Sequence, residues 1–284
     1  MVVSSEETSS VRIAVLGFGE AGGRIVTDLR DAGARVQGYD PAVSAPFGVR
    51  EHPDEASAVS GADLVLSVNS AEAARDAMRA GLPGAGPTTV WADLNTAAPQ
   101  LKRELSETAA AAGVGFADVS LMTPVPGRGL YTPMLTSGDA ARRYAEALTS
   151  LGAHVETLEG EAGLAAERKL LRSVFFKGLA AAVVEALEAG RAAGCEDWLR
   201  ANIADELTRA DADTVRRLVD GSHQHAVRRA HEMSAAADML TDLGVDPLVS
   251  GASRDLLRRL VDEAAPTHNG DLVATDTTHG RQSR

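Results

Sequence analysis

The stretch VRIAVLGFGEAGG, residues 11–23, decides the reading of this chain. An apolar run from Val11 to Leu16 ends in Gly17, Gly19 and Gly22, a GxGxxG spacing that falls directly after a strand and at the start of a helix. The first glycine permits the tight turn, the second lets a pyrophosphate approach the backbone, and the third lets helix and strand pack closely. A lone GxGxxG is weak, but a second run, ARVQGY (34–39), leads into Asp40, eighteen residues after Gly22. A carboxylate at that spacing suits the adenosine ribose hydroxyls of a dinucleotide. Gly17, Phe18, Gly19, Glu20, Ala21, Gly22 and Asp40 are therefore the expected cofactor contacts. A tight βα turn with a solvated strand-end acid is the less favoured reading.

Asp40 also favours NAD, because a carboxylate repels the 2′-phosphate of NADP. Arg30, Arg35 and Arg50 are the available counterweights, so NADP stays open. Two further strand ends, at Ser67-Val68-Asn69-Ser70 and at Asn95-Thr96, fall where parallel sheets present ligand contacts. Asn69 and Asn95 are candidate cofactor contacts, with capping of the following helices as an equal alternative.

Working outward, the candidate strands are VRIAVL (11–16), ARVQGY (34–39), DLVLSV (63–68), TTVWADL (88–94), VGFADV (114–119), PMLTS (133–137) and AHVETL (153–158). They alternate with Ala- and Arg-rich helical stretches, and most are unbroken apolar runs, as parallel strands covered on both faces should be. From about Glu161 the β-branched runs vanish and apolar positions fall at helical spacing. The fold expected is α/β: a doubly wound parallel Rossmann sheet over 11–160, then an all-helical substrate and dimerisation domain over 161–265. Helices are expected at roughly 163–189, 196–219, 223–243 and 247–264, bounded by Gly, Asp or Pro. Residues 1–10 and 266–284 are polar and lack periodicity, so a disordered start and a mobile tail are expected.

Of the 284 residues, 44% are hydrophobic and 24% charged, a globular composition. A net charge of −12 argues against nucleic acid or an anionic membrane as partner and for a small molecule. No stretch approaches the roughly 20 apolar residues of a membrane span, and the N-terminus lacks a signal-peptide pattern. The single cysteine, Cys195, allows no internal disulfide, which suits a cytoplasmic location. His223, His225 and His231 cluster with Arg228, Arg229 and Glu232, but no metal-ligand spacing occurs and no metal is expected.

Four segments, GFGEAG (17–22), DLNTAAP (93–99), DVSLMTPVPGRG (118–129) and GLAAERKLLRSVFFKG (163–178), carry a family resemblance. The chain resembles the β-hydroxyacid dehydrogenases, the group that contains 3-hydroxyisobutyrate and 6-phosphogluconate dehydrogenases. With RRAHEMSAAADMLTDLGVDP (228–247), it looks most like a branch with its own helical C-terminal domain. The resemblance implies a catalytic lysine on the long interdomain helix, matched by Lys169, and a substrate-binding polar residue four positions on. That second place is usually Asn, and here it is Ser173. Lys177 lies four residues further, and the three positions drift by only about 40° per step, so they share a helix face. Two lysines on a helix taken alone would read as solvated surface charges. The family's DxPVSGG-like substrate loop is altered here: Met122 and Thr123 stand near the usual Ser-Gly. Ser120, Thr123 and Arg128 remain candidate substrate contacts, with a proline-ordered turn that leaves Arg128 in solvent as an equal alternative. His231 is a further candidate from the helical domain, where a solvated helix face is the favoured reading.

The expected activity is hydride transfer between NAD and a small hydroxy acid or its oxo counterpart, with Lys169 accepting or donating the proton. Ser173 and Lys177 would position the substrate. An imine reductase is the alternative, and a dinucleotide-binding protein without catalysis is a third reading. A homodimer is the expected assembly.

Overall fold

The computed structural model describes residues 10–264. The expectations for residues 1–9 and 265–284 lie outside the described residues. The chain divides into two compact units, the first ending at Phe175 and the second starting at Phe176.

The first unit holds an eight-stranded sheet: β1 (Arg12–Leu16), β2 (Arg35–Tyr39), β3 (Arg50–Glu51), β4 (Leu64–Ser67), β5 (Val90–Asp93), β6 (Gly115–Leu121), β7 (Met134–Ser137) and β8 (Val155–Thr157). Their order across the sheet is β3-β2-β1-β4-β5-β6-β7-β8. Five helices connect them: α1 (Glu20–Asp31), α2 (Glu55–Val59), α3 (Ala74–Gly81), α4 (Pro99–Ala111) and α5 (Ala141–Thr149). Side chains of a strand point alternately to opposite faces, and here both faces are covered. Ile13, Val15, Leu64, Leu66, Val90 and Ala92 pack into one core cluster with Ile25, Leu29 and Tyr144. Ala14, Leu16, Val65 and Trp91 pack into a second with Met78, Leu105 and Phe116. Burial on two sides is why these strands read as unbroken apolar runs rather than alternating ones.

The chain goes from β1 to β2 on one side and returns to β4 on the other, so the order reverses between β1 and β4. Their carboxyl ends, Gly17 and Val68-Asn69, flank the crevice that such a reversal opens.

All seven expected strands are present, and two-residue β3 is added. The expected parallel Rossmann sheet runs from β3 to β6, and beyond it β7 pairs antiparallel to β6 and β8 parallel to β7. The connection from Met122 to Pro133 contains only a single 3-10 turn, Gly129–Tyr131, instead of a crossover helix. Without a helix to carry the chain back along the sheet, the next strand pairs in the opposite direction.

Long helix α6 (Leu164–Ala192) is followed by α7 (Glu196–Thr208), α8 (Ala212–Gln224), α9 (Ala226–Asp242) and α10 (Leu248–Ala264). The helix expected over 196–219 is in fact two. Asp211 starts a new one through a capping box: its carboxylate accepts the Thr214 N–H at 2.9 Å while the Thr214 hydroxyl accepts the Asp211 N–H. Within the second unit α10 is anchored on α6, where the buried Glu185 carboxylate accepts the N–H groups of Val249 (2.6 Å) and Ser250 (2.8 Å).

Candidate functional site

Gly17, Gly19 and Gly22 do three different jobs. Gly17 has φ +110°, and a Cβ there would lie 2.5 Å from the Val68 carbonyl oxygen, so both conformation and space demand glycine. At Gly22 a Cβ would lie 2.0 Å from the Gly17 oxygen, which is the close packing of helix on turn. A Cβ on Gly19 would meet nothing within 4 Å, and its backbone (φ −57°, ψ −171°) suits any residue. Nothing in the protein asks for glycine there. The open space over Gly19 lies at the start of α1, whose first turn has no side-chain cap, and a pyrophosphate fits that combination.

Asp40 sits at the end of β2. Its Oδ2 accepts the Phe18 N–H at 2.7 Å, and its Oδ1 accepts those of Ala42 (2.8 Å) and Val43 (2.9 Å). Burial pushes this carboxyl up, but the three N–H donors outweigh it and hold the group below the ordinary carboxylate range. The acid therefore remains ionised and ties the glycine loop to the second strand end. Gly17, Asp40 and Asn69 line one cavity of about 180 Å³ with Leu16, Tyr39 and Ala73. Phe18 contributes its N–H to Asp40 and its ring to the core, whereas Glu20 is exposed in the first turn of α1. Arg30 reaches the Phe47 carbonyl and Asp31, so it is committed away from Asp40. Arg35 and Arg50 are exposed on β2 and β3.

The capping alternative for the two asparagines does not hold. Helices α3 and α4 begin after Ala73 and Ala98 with no side-chain cap. Instead Asn95 Nδ2 donates to Asn69 Oδ1 at 2.8 Å, to Asp93 Oδ2 at 2.7 Å and to Ser67 Oγ at 3.2 Å. Two strand ends that lie apart in sequence are thus joined into one polar rim.

Lys169 lies on the second turn of α6, half-buried, and its Nζ donates to Thr96 Oγ1 at 2.7 Å. One turn further, Arg172 donates to the Met122 carbonyl at 3.0 Å. The first turns of α6 therefore touch both the loop after β5 and the loop after β6. The latter loop is pinned from its other end, where Asp28 of α1 accepts the Leu130 N–H at 3.0 Å. Thr123 Oγ1, in the same loop, is enclosed and has no hydrogen-bond partner. Ser173 is half-buried, Ser120 is buried within β6 and Arg128 is exposed. Lys177 and His231 belong to the second unit, where both are exposed. His231 lines an open cavity of about 790 Å³ with His223, His225 and Arg228. Among the described residues no group of three or more His, Cys, Asp or Glu side chains could hold a metal ion.

Sequence reasoning missed Lys102, which is fully buried on α4 and bridges two fully buried carboxylates, Asp93 (2.5 Å) and Asp118 (3.3 Å). Its one signal was its place on the helix face that Leu101, Leu105 and Ala109 bury.

Residues 12–156, more than half of the chain, match the family described as the NAD binding domain of 6-phosphogluconate dehydrogenase. The chain belongs to this family. Residues 191–260 match a second family, a domain of unknown function (DUF1932). A 3-hydroxyisobutyrate dehydrogenase of Pseudomonas aeruginosa is 28% identical over 193 residues, 63% of each chain. A solved structure of a conserved hypothetical protein from Sinorhizobium meliloti is 28% identical, covering 93% of this chain and 92% of that one, with a TM-score of 0.58. The Streptomyces aurantiacus imine reductase shares the fold at 20% identity, covering 89% and 95% with a TM-score of 0.74. The chain is an NAD(P)-binding oxidoreductase of the Rossmann fold related to hydroxyacid dehydrogenases, and it shares its fold with imine reductases. No described helix is long and apolar enough to cross a membrane.

Proposed function

We propose that this family member is a reductase of a small imine, using NAD in preference to NADP, with Lys169 as the proton group. The observation that carries the reading is the 2.7 Å bond from Lys169 Nζ to Thr96 Oγ1, which holds an ammonium beside the loop that follows β5. Gly17, Gly19 and Gly22, with the start of α1, would hold the pyrophosphate, and Asp40 the adenosine ribose. Asn69 and Asn95 would contact the nicotinamide end. The dinucleotide, when bound, supplies a hydride for the substrate carbon. Lys169 then supplies the proton to nitrogen, so that a C=N bond becomes an amine. Ser173 and Thr123 would line the substrate, with Ser120 and Arg128 as outer candidates; Lys177 and His231 stay candidates by their sequence positions alone.

Two features favour an imine over a hydroxy acid. The likeness to imine reductases extends over both units, whereas that to 3-hydroxyisobutyrate dehydrogenase covers 63% of the chain. The loop after β6 also carries Met122 and Thr123 where the resemblance leads one to expect a serine-glycine pair for the acid's carboxylate. The hydroxy-acid reading is kept as the second, because Lys169 matches that family's proton group in place and residue type. We further propose a cytoplasmic homodimer.

The test is turnover of NADH against cyclic imines and against hydroxy acids with NAD, using Lys169→Met as control. The reading predicts imine reduction, reduced in the variant by about a hundredfold or more, the usual scale of a lost acid–base group. Oxidation of a hydroxy acid without imine turnover supports the second reading. Dinucleotide binding with no turnover of either class supports a non-catalytic binder.

A further inference from the structure

A single buried ammonium stands between the two segments that the proposed reaction must keep in register. On one side, Lys102 Nζ donates to Asp93 Oδ1 at 2.5 Å and to the Asp93 carbonyl at 2.7 Å, and Asp93 Oδ2 in turn accepts from Asn95 Nδ2. On the other, Lys102 meets Asp118 Oδ1 at 3.3 Å, an oxygen with no hydrogen bond of its own. The second oxygen of Asp118 receives the start of α6: the N–H groups of Gly163 and Ala166 donate to Oδ2 at 3.0 and 3.1 Å. Ser137 supports the same turn, its hydroxyl donating to Asp118 Oδ2 and accepting the Ala165 N–H.

Asp93, Lys102 and Asp118 are all fully buried. Two carboxylates against one ammonium leave one uncompensated negative charge, and the N-terminus of the 29-residue α6 is the positive group that faces it. Asn95 is followed by Thr96, the residue that accepts from Lys169, and Lys169 lies three residues after Ala166 on α6. The Asn95-Thr96 loop and the Lys169 turn are therefore both hung from Lys102, through one carboxylate each.

We infer that Lys102 is a positioning residue for the reaction: by bridging Asp93 and Asp118 it holds the Asn95-Thr96 loop and the first turn of α6 in one register, and so fixes where Lys169 presents its ammonium. The inference deepens the proposed function and rests on Lys169 as its proton group. A plain cap on α6 would need only Asp118. A buried lysine between two carboxylates costs desolvation that a cap does not require, and what it adds is the link to the loop after β5.

Lys102→Met leaves two buried carboxylates facing one another and is strongly destabilising. The charge-matched double variant Lys102→Met with Asp118→Asn carries the same single negative charge as the wild type and keeps an amide oxygen for Gly163 and Ala166. Three readouts are taken on the full-length double variant: NADH affinity by calorimetry, kcat and KM for the imine, and, with NADH bound, the acylation rate of Lys169 measured by mass spectrometry. We expect NADH affinity and KM within about threefold of wild type, kcat lower by roughly ten- to a hundredfold, the scale of a small misplacement, and Lys169 acylated several-fold faster. Unchanged kcat together with unchanged Lys169 reactivity in the folded variant overturns the inference. So does failure of the charge-matched variant to fold, which assigns the network to stability alone. If the wild type turns over no substrate but Lys169 reactivity still rises in the variant, the proposed function fails and the positioning role stands.

Discussion

Gly19 and Gly22 look alike in the sequence and serve opposite ends. A methyl group at Gly19 meets nothing in the protein, so Gly19→Ala should leave the melting temperature unchanged and weaken NADH binding by about tenfold or more. A methyl at Gly22 would lie 2.0 Å from a carbonyl oxygen of the turn beneath it. Gly22→Ala should destabilise the fold by about 1–3 kcal/mol, the range for overpacking, as measured by denaturant unfolding. Asp40 joins the two roles, since it closes the loop on Phe18 and would also face the ribose. Its pKa is held low in the folded state, so its contribution is complete above the unfolded carboxylate value, about 3.9. That contribution is lost as pH falls through the lower folded value. NADH affinity measured by calorimetry should therefore show no Asp40-dependent change between about pH 5 and 8. The glycines and Asp40 could be read from the sequence because their spacing encodes a local backbone path. Lys102 could not, because a lysine on a helix reads as a solvated charge until its two carboxylate partners are seen in space. The Asn69–Asn95 bond was hidden for the same reason.

At the scale of elements, strands β1, β4 and β5 announce themselves as apolar runs, and β2, β6, β7 and β8 as shorter mixed runs between helical stretches. What the run does not carry is direction. The reversal at β7 follows from the connection before it, whose single 3-10 turn is pinned to α1 by Asp28, a contact across 102 residues. The break between α7 and α8 had a local signal in Asp211 and Thr214, but helical periodicity on both sides concealed it. Glu185 was missed because its partners are backbone N–H groups 64 and 65 residues away. Burial pushes this carboxyl up, yet the N–H donors at the start of α10 hold it below the usual range. Glu185→Ala should cost about 1 kcal/mol, the typical loss for a helix N-terminal cap, seen as a lower denaturation midpoint. In wild type the same stabilisation is present above the ordinary glutamate pKa and fades as pH falls through the depressed folded value.

For the whole molecule, the second unit sets the expectation. Neither α7 nor α8 buries a residue, and Val215, Leu218 and Val219 form an apolar stripe on α8 with 65%, 54% and 51% of their surface exposed. A helix with such a stripe is built to be covered. With the proposed homodimer as the cover, light scattering should give twice the mass of the 29.5 kDa chain. Leu218→Asp should shift the population to monomer, and a wild-type protein that is monomeric at micromolar concentration would remove the assembly from the account. The two-part grammar of the sequence, βα alternation and then helices alone, foretold the sheet followed by helices. It did not foretell the substrate, because that depends on a few side chains of the site rather than on the fold.

The most direct test of the central claim is transfer of label from NADH carrying deuterium at C4 of the nicotinamide to a cyclic imine, with the amine product examined by mass spectrometry. Deuterium at the former imine carbon in the wild type, and at least a hundredfold slower appearance in Lys169→Met, roughly the loss of an acid–base group, is the result predicted. Bound NADH with no label in any amine product would contradict it.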